Sequence, residues 1–298
     1  MGSINITECP VCGGSQFSDF LTCTDHFVSG EEFVIRKCEG CGFKLTADAP
    51  DEDSISPYYQ SEEYVSHSDT SKGLVNRAYH VARNIMLGQK RKITARAARI
   101  KSGKLLDIGA GTGYFASYME KHGWQVAGTE KSGEARQFAH NEFGLELHPT
   151  EQLFSFSAES FDIVTMWHVL EHIHALKKNI SELNRVLKPN GCLFIAIPNH
   201  TSYDAKHYKK FWAAYDVPRH IWHFAPPQLQ ALFEKSGFRL IKKYRLPLDS
   251  FYISIVSEKY KKSSLPFLKG VWHGKISWLE SLMNRNRCSS VIYALRKN

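Results

Sequence analysis

The sequence predicts an α/β protein with a doubly wound sheet of seven strands, preceded by a small cysteine-bearing ribbon. From residue 104 onward, short apolar runs alternate with helical patterns, which is typical of a parallel sheet with helices on both faces. One of these runs opens into a glycine-rich turn followed by a helix, and two C-x2-C pairs precede the sheet. The chain therefore combines a ribbon at residues 1–47 with a larger body.

The composition limits the class of protein. The chain has 298 residues, of which 43% are hydrophobic, and this is enough for a packed core in one large or two modest domains. No apolar run reaches the roughly 18 residues of a membrane-spanning helix, and the first residues lack the basic start and apolar body of a signal peptide. We therefore expect a cytoplasmic protein without a transmembrane segment.

Charge is distributed unevenly along the chain. Residues 1–72 carry 4 Lys and Arg against 13 Asp and Glu, a net charge of −9, whereas residues 73–298 carry 34 against 17, a net charge of +17. A basic body attracts an anionic substrate, nucleic acid or an acidic membrane surface, whereas an acidic head avoids all three.

Cysteine spacing indicates a metal site in the ribbon. The two C-x2-C pairs are each followed by glycine, and their four cysteines are Cys9, Cys12, Cys38 and Cys41. Two such knuckles are typical of a tetrahedral structural zinc site, and a module this small needs such a crosslink. The alternative is four reduced thiols without metal. Strand-like runs at 17–23 and 32–37 lie between the knuckles.

Two segments lead from the ribbon to the sheet. Residues 48–72 form an acidic, Ser- and Tyr-rich stretch without periodicity, which predicts a linker unless its tyrosines dock on the body. Residues 73–100 are rich in Ala and Arg and contain no proline, so we predict one or two helices there. Their basic face, around Lys90, is most simply a solvated face, and nucleic-acid contact is the alternative.

The body, residues 73–298, alternates strands and helices. The predicted strands are 104–108, 125–129, 145–148, 161–166, 192–197, 239–246 and 289–296. The predicted helices after residue 104 are 114–122, 133–143, 175–187 and 227–236. Two insertions, 199–225 and 249–288, exceed the length that such connections usually need, and long connections tend to be functional covers.

Residues 104–114 predict a nucleoside-binding turn. They read K-L-L-D-I-G-A-G-T-G-Y, and the glycines are Gly109, Gly111 and Gly113. A buried strand that opens into such a turn brings bare backbone against a cofactor, and an acid about 20 residues further on, here Glu130, can hold ribose hydroxyls. Tyr114 stands where a dinucleotide fingerprint has its third Gly or Ala. The alternative is a tight strand-to-helix turn with no ligand.

This turn, with Asp107 two residues before its first glycine, resembles that of class I S-adenosylmethionine (SAM) methyltransferases. The resemblance implies a Rossmann-like sheet, with an antiparallel seventh strand beside the sixth, and a SAM cofactor. The candidate cofactor-binding residues are Asp107, Gly109, Gly111, Gly113, Glu130, Glu151, Trp167 and His168. Tyr58 and Tyr59 resemble an element of sugar C-methyltransferases whose arm can cover the cofactor, and a mobile linker is the alternative.

Residues 166–173 read M-W-H-V-L-E-H-I, which resembles a segment of ubiquinone-pathway O-methyltransferases. The loop in those enzymes flanks the methionine end of the cofactor, which implies this position for Trp167 and His168. Some relatives bind a divalent cation with the Glu-His pair, so Glu171 and His172 are candidate ligands. A helix-start cap and packing pair is the simpler interpretation, because ligand spacing alone rarely fixes a metal.

The insertion 199–225 is predicted to face the acceptor. It contains four histidines and seven aromatic residues, and such a composition favours an apolar pocket with a few polar groups. Its D-x-P-R-H-x-x-H-F string is similar to one in bacterial methyltransferases that also carry the ribbon. The candidate acceptor-binding residues are Trp212, Tyr215, Asp216 and Arg219.

Methyl transfer from a sulfonium requires alignment of the acceptor, exclusion of water and removal of a proton. A histidine with a near-neutral pKa suits the last task. The candidate bases are His168, His220 and His223. We favour His220, because the neighbouring Arg219 and Asp216 could orient an anionic acceptor and tune the base.

These observations favour a SAM-dependent methyltransferase that acts on a small-molecule acceptor such as a sugar, lipid or secondary-metabolite intermediate. Oxygen is the favoured target atom, and the resemblance to sugar C-methyltransferases leaves carbon as the alternative. An rRNA or tRNA methyltransferase with a zinc ribbon is the second hypothesis, although an RNA-contacting ribbon should be basic and this one is acidic. A non-catalytic SAM-binding scaffold is the third. The insertion 249–288 could cap the pocket or contact a membrane surface peripherally, and the sequence leaves the oligomeric state open.

Overall fold

The computed structural model describes residues 2–59 and 74–298, with side chains in the first long helix described from residue 83 onward. Its strands are β1 (Phe17–Thr24), β2 (Glu32–Cys38), β3 (Lys44–Thr46), β4 (Gly103–Ile108), β5 (Trp124–Thr129), β6 (Leu147–His148), β7 (Phe161–Trp167), β8 (Leu187–Pro198), β9 (Trp222–His223), β10 (Phe238–Arg245) and β11 (Ser290–Lys297). Its α-helices are α1 (Leu74–Ala98), α2 (Tyr114–Glu120), α3 (Gly133–Phe143), α4 (Leu176–Val186), α5 (Tyr203–Tyr208), α6 (Pro226–Lys235), α7 (Asp249–Tyr260) and α8 (Pro266–Met283).

The larger sheet contains seven strands in the order β10-β11-β8-β7-β4-β5-β6. Strands β4 to β8 pair in parallel, and β11 runs antiparallel between β8 and β10. The predicted seven-stranded doubly wound sheet is confirmed, including its antiparallel last strand. The strand order reverses at β4, whose neighbours are β5 and β7, and ligands of such sheets bind beyond the carboxyl ends of the strands at this reversal.

Helical periodicity explains how helices cover the sheet. In α4 the side chains of Leu176, Ile180, Leu183 and Val186 are buried, and they recur at the spacing of one helix face. The residues of β8 from Gly191 to Pro198 are all buried. Strands that are covered on both faces have continuous apolar sequences instead of alternating ones, which is why apolar runs located them correctly.

The N-terminal segment forms a second sheet in the order β1-β2-β3-β9. Its fourth strand, β9, belongs to the insertion 199–225 and places His223 opposite Lys44 and Trp222 opposite Leu45 of β3. The strands β3 and β9 were not predicted, because strands of two or three residues carry no periodicity. The predicted domain boundary after residue 47 therefore separates β1, β2 and β3 from β9, although the four strands form one sheet. Residues from both sides of this boundary also belong to one hydrophobic cluster.

The insertion 249–288 folds into the helical hairpin of α7 and α8. A Cβ atom at Gly274 would lie 2.7 Å from the Cα atom of Phe251, so glycine permits the close approach of these helices. The outer surface of α8 exposes large apolar side chains, namely Phe267, Leu268, Trp272, Leu279, Leu282 and Met283. Among the described residues, every helix is too short or too polar to cross a bilayer. Peripheral membrane contact stays a prediction.

Candidate functional site

The glycine turn lies at the carboxyl end of β4, where the strand order reverses. Gly109, Gly111 and Gly113 have φ values of 66°, 55° and 81°, which favour glycine. A Cβ atom at Gly109 would overlap Val169, and one at Gly113 would lie 2.9 Å from the Cβ atom of Ala139. A Cβ atom at Gly111 would meet nothing within 4 Å. Two of the three glycines therefore serve packing, and Gly111 presents bare backbone to open space.

Glu130 follows β5 and is held beside this turn. Its Oε2 atom accepts a hydrogen bond from the N–H of Gly111 at 2.8 Å, and its Oε1 atom accepts one from the N–H of Ser132 at 2.9 Å. The acid predicted to bind ribose is therefore fixed beside the exposed backbone of Gly111. Glu151 lies in an exposed position of the 3-10 turn Thr150–Ser155, after β6.

Asp107 is 1% exposed at the end of β4, and the hydroxyl of Thr165 donates to its Oδ1 atom at 2.6 Å. Burial raises the pKa of Asp107 to about 7, although Thr165 and Lys90 act in the opposite direction. Burial lowers the pKa of Lys90 to about 8. The Lys90 ammonium lies 4.4 Å from the centroid of the Trp167 ring. The interpretation of Lys90 as a solvated side chain is therefore wrong. The Lys90 side chain points from α1 towards the carboxyl ends of β4 and β7, where Asp107 and Trp167 lie.

Trp167 and His168 follow β7 at the same edge. The indole N–H of Trp167 is buried without a hydrogen-bond partner among the described residues. His168 has a φ of 59°, and its ring lies between two carboxylates, with Nδ1 3.5 Å from Glu171 Oε1 and Nε2 3.1 Å from Asp249 Oδ2. The sequence analysis missed Asp249, which begins α7 and carries no local signal of this contact.

The two carboxylates control the charge of His168. Burial alone would lower the pKa of His168, but the close contact with Asp249 and the charge attraction from Asp249 and Glu171 raise it to about 10. A protonated imidazole has no free lone pair at neutral pH. This geometry disfavours the predicted role of His168 as a general base and leaves it as a cation beside the turn.

His220 is buried next to His172, with the ring centroids 4.5 Å apart. Its Nδ1 atom donates to the carbonyl oxygen of Ala214 at 2.9 Å. Because a carbonyl only accepts, the neutral ring carries its proton on Nδ1 and its lone pair on Nε2. The Asp216 carboxylate lies 3.8 Å from that Nε2 atom. The arrangement suits a base whose orientation is set by the backbone.

Glu171 is 1% exposed, and neither of its carboxylate oxygens has a hydrogen-bond partner in the described part of the chain. Its potential ligand atoms and those of His172 and His220 lie within 4.8 Å of one another. One carboxylate and two imidazoles suit a divalent cation such as Zn²⁺. The predicted Glu171 and His172 pair thus acquires a third donor from the insertion 199–225. Because only Nε2 of His220 has a lone pair, a cation ligated by His220 and a base role of His220 are alternatives, and cation binding there stays a prediction. The N–H of Ile221 donates to the Glu171 carbonyl at 2.9 Å, which fastens the insertion to this edge.

Arg219 is 4% exposed and uses its donors within the protein. Its Nη2 atom donates to Asp25 at 2.9 Å and to Asp216 at 2.7 Å, and its Nε atom donates to Asp216 at 3.1 Å. Its Nη1 atom donates to the carbonyl oxygen of Tyr58 at 2.7 Å. Arg219 and Asp216 therefore belong to an ionic network that joins the ribbon, the arm and the insertion. This network disfavours the predicted acceptor contact of the buried Arg219, whereas acceptor contact by Asp216, whose side chain is 26% exposed, stays a prediction.

Three further candidate residues are also part of the packing. His223 Nε2 lies 2.9 Å from the hydroxyl oxygen of Thr46, and burial lowers the pKa of His223 well below its usual range. The indole N–H of Trp212 donates to Asp204 at 2.8 Å, and the Tyr215 ring packs against His223 with centroids 5.3 Å apart. All three side chains are buried between the N-terminal sheet and its helical neighbours, so the structure does not favour their predicted base and acceptor roles.

The described part of the arm docks on the body. Tyr58 is buried, and its hydroxyl donates to Glu31 at 2.6 Å. The hydroxyl of Tyr59 lies 3.1 Å from Nδ1 of His172. The mobile-linker interpretation is therefore wrong for residues 48–59, whereas the rest of that segment lies outside the described residues. Coverage of the cofactor by these tyrosines stays a prediction.

The four ribbon cysteines converge on one point. The Sγ atoms of Cys9 and Cys41 lie 3.6 Å apart, those of Cys12 and Cys38 lie 3.5 Å apart, and all four fall within 4.8 Å of one another. Four thiolates about 2.3 Å from one zinc ion stand about 3.8 Å apart, so the cluster fits a tetrahedral site. Disulfide bonds would bring two sulfur atoms to about 2.05 Å, which is far shorter.

Comparison with known proteins places the chain in a family. A family model described as a methyltransferase domain matches residues 80–243, which include the glycine turn, Glu130 and the whole insertion 199–225. The chain belongs to this methyltransferase domain family. A ubiquinone biosynthesis O-methyltransferase from Brucella anthropi is 28% identical over 152 residues, which are 47% of this chain and 61% of that protein.

Other similarities of this methyltransferase-family chain are more limited. A ubiquinone biosynthesis O-methyltransferase from Haemophilus ducreyi is 30% identical over 120 residues, 37% of this chain and 51% of that protein. The chain thus spans less than two thirds of the length of both relatives. A solved structure from Galdieria sulphuraria, described as a sarcosine dimethylglycine methyltransferase, has a TM-score of 0.50 at 16% identity and covers 74% of this chain and 88% of that chain. This similarity shows the fold alone.

Proposed function

We propose that the protein is a SAM-dependent methyltransferase that methylates an oxygen atom of a small-molecule acceptor. One observation carries the proposal: the bare backbone of Gly111 faces open space beside the fixed carboxylate of Glu130, at the edge where the sheet order reverses. The buried, unpartnered indole N–H of Trp167 at the same edge also fits a polar ligand. The names of the curated relatives favour oxygen as the target atom. A sugar, lipid or secondary-metabolite intermediate is the acceptor class that we propose.

Bound SAM would supply an electrophilic methyl group, and the residues at this edge would prepare the acceptor. Nε2 of His220 removes the acceptor hydroxyl proton as the new carbon–oxygen bond forms and the carbon–sulfur bond breaks. The hydrogen bond from Nδ1 to the Ala214 carbonyl keeps the lone pair on Nε2. Burial of His220 and Glu171 keeps water from the reacting groups.

Replacing His220 with alanine is expected to lower methyl transfer by about a hundredfold and to leave SAM affinity unchanged. The assay incubates the protein with methyl-labelled SAM and a cell extract and then follows label in the lipid and small polar fractions. Replacing His140 with alanine is the matched control, because His140 is an exposed histidine on α3. An unchanged rate in the His220 variant would exclude this residue from the mechanism.

The same fractionation separates the two other hypotheses. Label in RNA would favour a nucleic-acid methyltransferase, against which the net charge of −9 in residues 1–72 argues. SAM binding without label in any fraction would favour a non-catalytic scaffold. We expect no label in RNA, because the acidic ribbon repels phosphate groups. We also expect turnover, because a scaffold would not require the orientation of His220 as a base.

We also propose that Cys9, Cys12, Cys38 and Cys41 hold one structural Zn²⁺ ion in a ribbon of residues 1–47, followed by the arm 48–72 and the methyltransferase body. Elemental analysis is expected to find about one zinc per chain. Replacing both Cys12 and Cys38 with serine should abolish zinc retention, whereas replacing the buried Cys23 with alanine should preserve it. Equal zinc content in all three proteins would place the ion elsewhere.

A further inference from the structure

A second cavity lies beside the proposed methyl-transfer edge. This basic cleft has a volume of about 670 Å³ and lies between α1, the end of β10 and the residues after α8. Five cationic side chains line it, namely Arg91, Lys92, Arg96, Arg245 and Arg285. Tyr118 and Tyr244 contribute aromatic rings, and none of the described lining residues is acidic. Cleft volumes of roughly 300–1,000 Å³ are typical of small-molecule sites.

Two arginines in the basic cleft have donors without acceptors. The Nε atom of Arg91 and the Nη1 atom of Arg245 are buried and have no hydrogen-bond partner among the described residues. A guanidinium N–H that is withdrawn from water without an acceptor costs free energy. Neither atom is thus paired within the described protein, and the other N–H groups of a guanidinium match phosphate oxygens in a bidentate manner.

The basic cleft adjoins the edge that carries the proposed cofactor site. Because β11 is antiparallel to both β8 and β10, the carboxyl end of β10 at Arg245 lies on the same side of the sheet as the glycine turn. Pro247 lines the cleft, and Asp249, two residues further on, contacts His168. On α1, Lys90 directly precedes Arg91 and faces the Trp167 ring. The cleft and the proposed cofactor site therefore lie on the same side of the sheet.

We propose that the basic cleft binds a phosphate-bearing group of the acceptor, an inference that rests on the proposed methyltransferase function. Five cations with no carboxylate among the described lining residues suit a multiply charged group such as a phosphate or diphosphate better than a single carboxylate. A cleft of about 670 Å³ suits a small molecule better than a nucleic-acid duplex, which needs an extended surface. The acceptor is therefore a phosphorylated small molecule, whose charged end is anchored while its hydroxyl faces His220.

Binding of inorganic pyrophosphate to the full-length protein tests the basic cleft directly. Isothermal titration calorimetry at constant ionic strength is expected to show binding, and Arg91→Gln and Arg245→Gln are each expected to weaken it about tenfold or more. Lys92→Gln changes an exposed side chain of the cleft and should also weaken binding without a risk to folding. Arg239→Gln is the matched control, because Arg239 is exposed near the opposite end of β10.

SAM affinity is measured in the same samples to separate the two proposals. If SAM binds but pyrophosphate does not, or if Arg239→Gln weakens pyrophosphate as much as the cleft variants do, the cleft proposal is overturned and the proposed function stands. If SAM does not bind to the wild-type protein, the proposed function fails whatever pyrophosphate does. A single-stranded RNA oligonucleotide that binds more tightly than pyrophosphate through the same cleft residues would overturn the small-molecule assignment.

Discussion

Replacing Gly111 with valine is expected to weaken SAM binding by at least a hundredfold, which corresponds to a loss of about 2.8 kcal/mol in binding free energy. The backbone of Gly111 has a φ of 55°, and a Cβ atom there would meet nothing within 4 Å. A valine side chain would fill the space in which we place the cofactor. Calorimetric titration of SAM into the purified variant measures the loss.

Replacing Gly123 with valine controls for backbone strain in this experiment. Gly123 also has a positive φ, 86°, and a Cβ atom there would likewise meet nothing within 4 Å. Both variants therefore place a β-branched residue in left-handed backbone, at a cost of about 1–3 kcal/mol. Only the Gly111 variant should lose SAM affinity. If the two variants bind SAM equally, the space in front of Gly111 is not the cofactor site.

Replacing Arg219 with methionine is expected to lower the free energy of unfolding by about 3–5 kcal/mol. The substitution leaves the Asp25 and Asp216 carboxylates without their shared cation, and Asp25 is 1% exposed. Loss of one partner of a buried ion pair costs more than the pair itself contributes, because the remaining charge is neither hydrated nor neutralised. Urea denaturation followed by circular dichroism measures the change.

Replacing Arg36 with methionine is the matched control for this prediction. Arg36 pairs with Asp19 at 3.1 Å, but the side chains are 45% and 71% exposed. Exposed pairs contribute roughly 0–1 kcal/mol, so the control should lose less than about 1 kcal/mol. Equal losses in the two variants would contradict the assignment of Arg219 as the link between the ribbon and the insertion.

The pH dependence of stability provides a second readout of the same network. Burial would raise the pKa of Asp25 and of Asp216, but Arg219 lowers both below their ordinary values. A carboxylate whose pKa is lower in the folded state stabilises the fold above its unfolded pKa, near about 3.9 for Asp, and loses this contribution as pH falls through the folded pKa. The wild-type protein should therefore lose stability below about pH 4, and Arg219→Met should reduce this loss.

Local patterns predicted the sheet well, since its central strands β4, β7 and β8 are largely buried and each contains an apolar run. The predicted helix 133–143 coincides with α3, whose N-terminal Ser132 side chain accepts from the N–H of Ala135 at 3.2 Å. Boundaries were less accurate where one element passes directly into the next. The strand β8 begins at Leu187, five residues before its predicted start at Cys192, because α4 ends at Val186 and the strand follows at once.

Residues with a local signal, such as Gly111 and Glu130, lie together in the structure, whereas composition was a poor guide to the insertion 199–225. Clustering of histidine, arginine and aromatic residues in the insertion 199–225 indicated a pocket, yet Arg219 and His223 serve the junction with the N-terminal sheet. Conversely, the basic stretch of α1 resembled a solvated face, yet Lys90 lies against Trp167 and Asp107. Composition alone does not distinguish a side chain that lines a cavity from one that fills a junction.

The sequence by itself determined the seven-stranded sheet, the glycine turn and the grouping of cysteines in two knuckles. These features depend on periodicity, glycine conformation and short spacings, which are properties of neighbouring residues. Only the tertiary structure decided that β9 completes the N-terminal sheet and that Arg219 pairs with Asp25 across 194 positions of sequence. Such contacts arise from the packing of whole elements, and no local pattern encodes which distant residue will neutralise a buried charge.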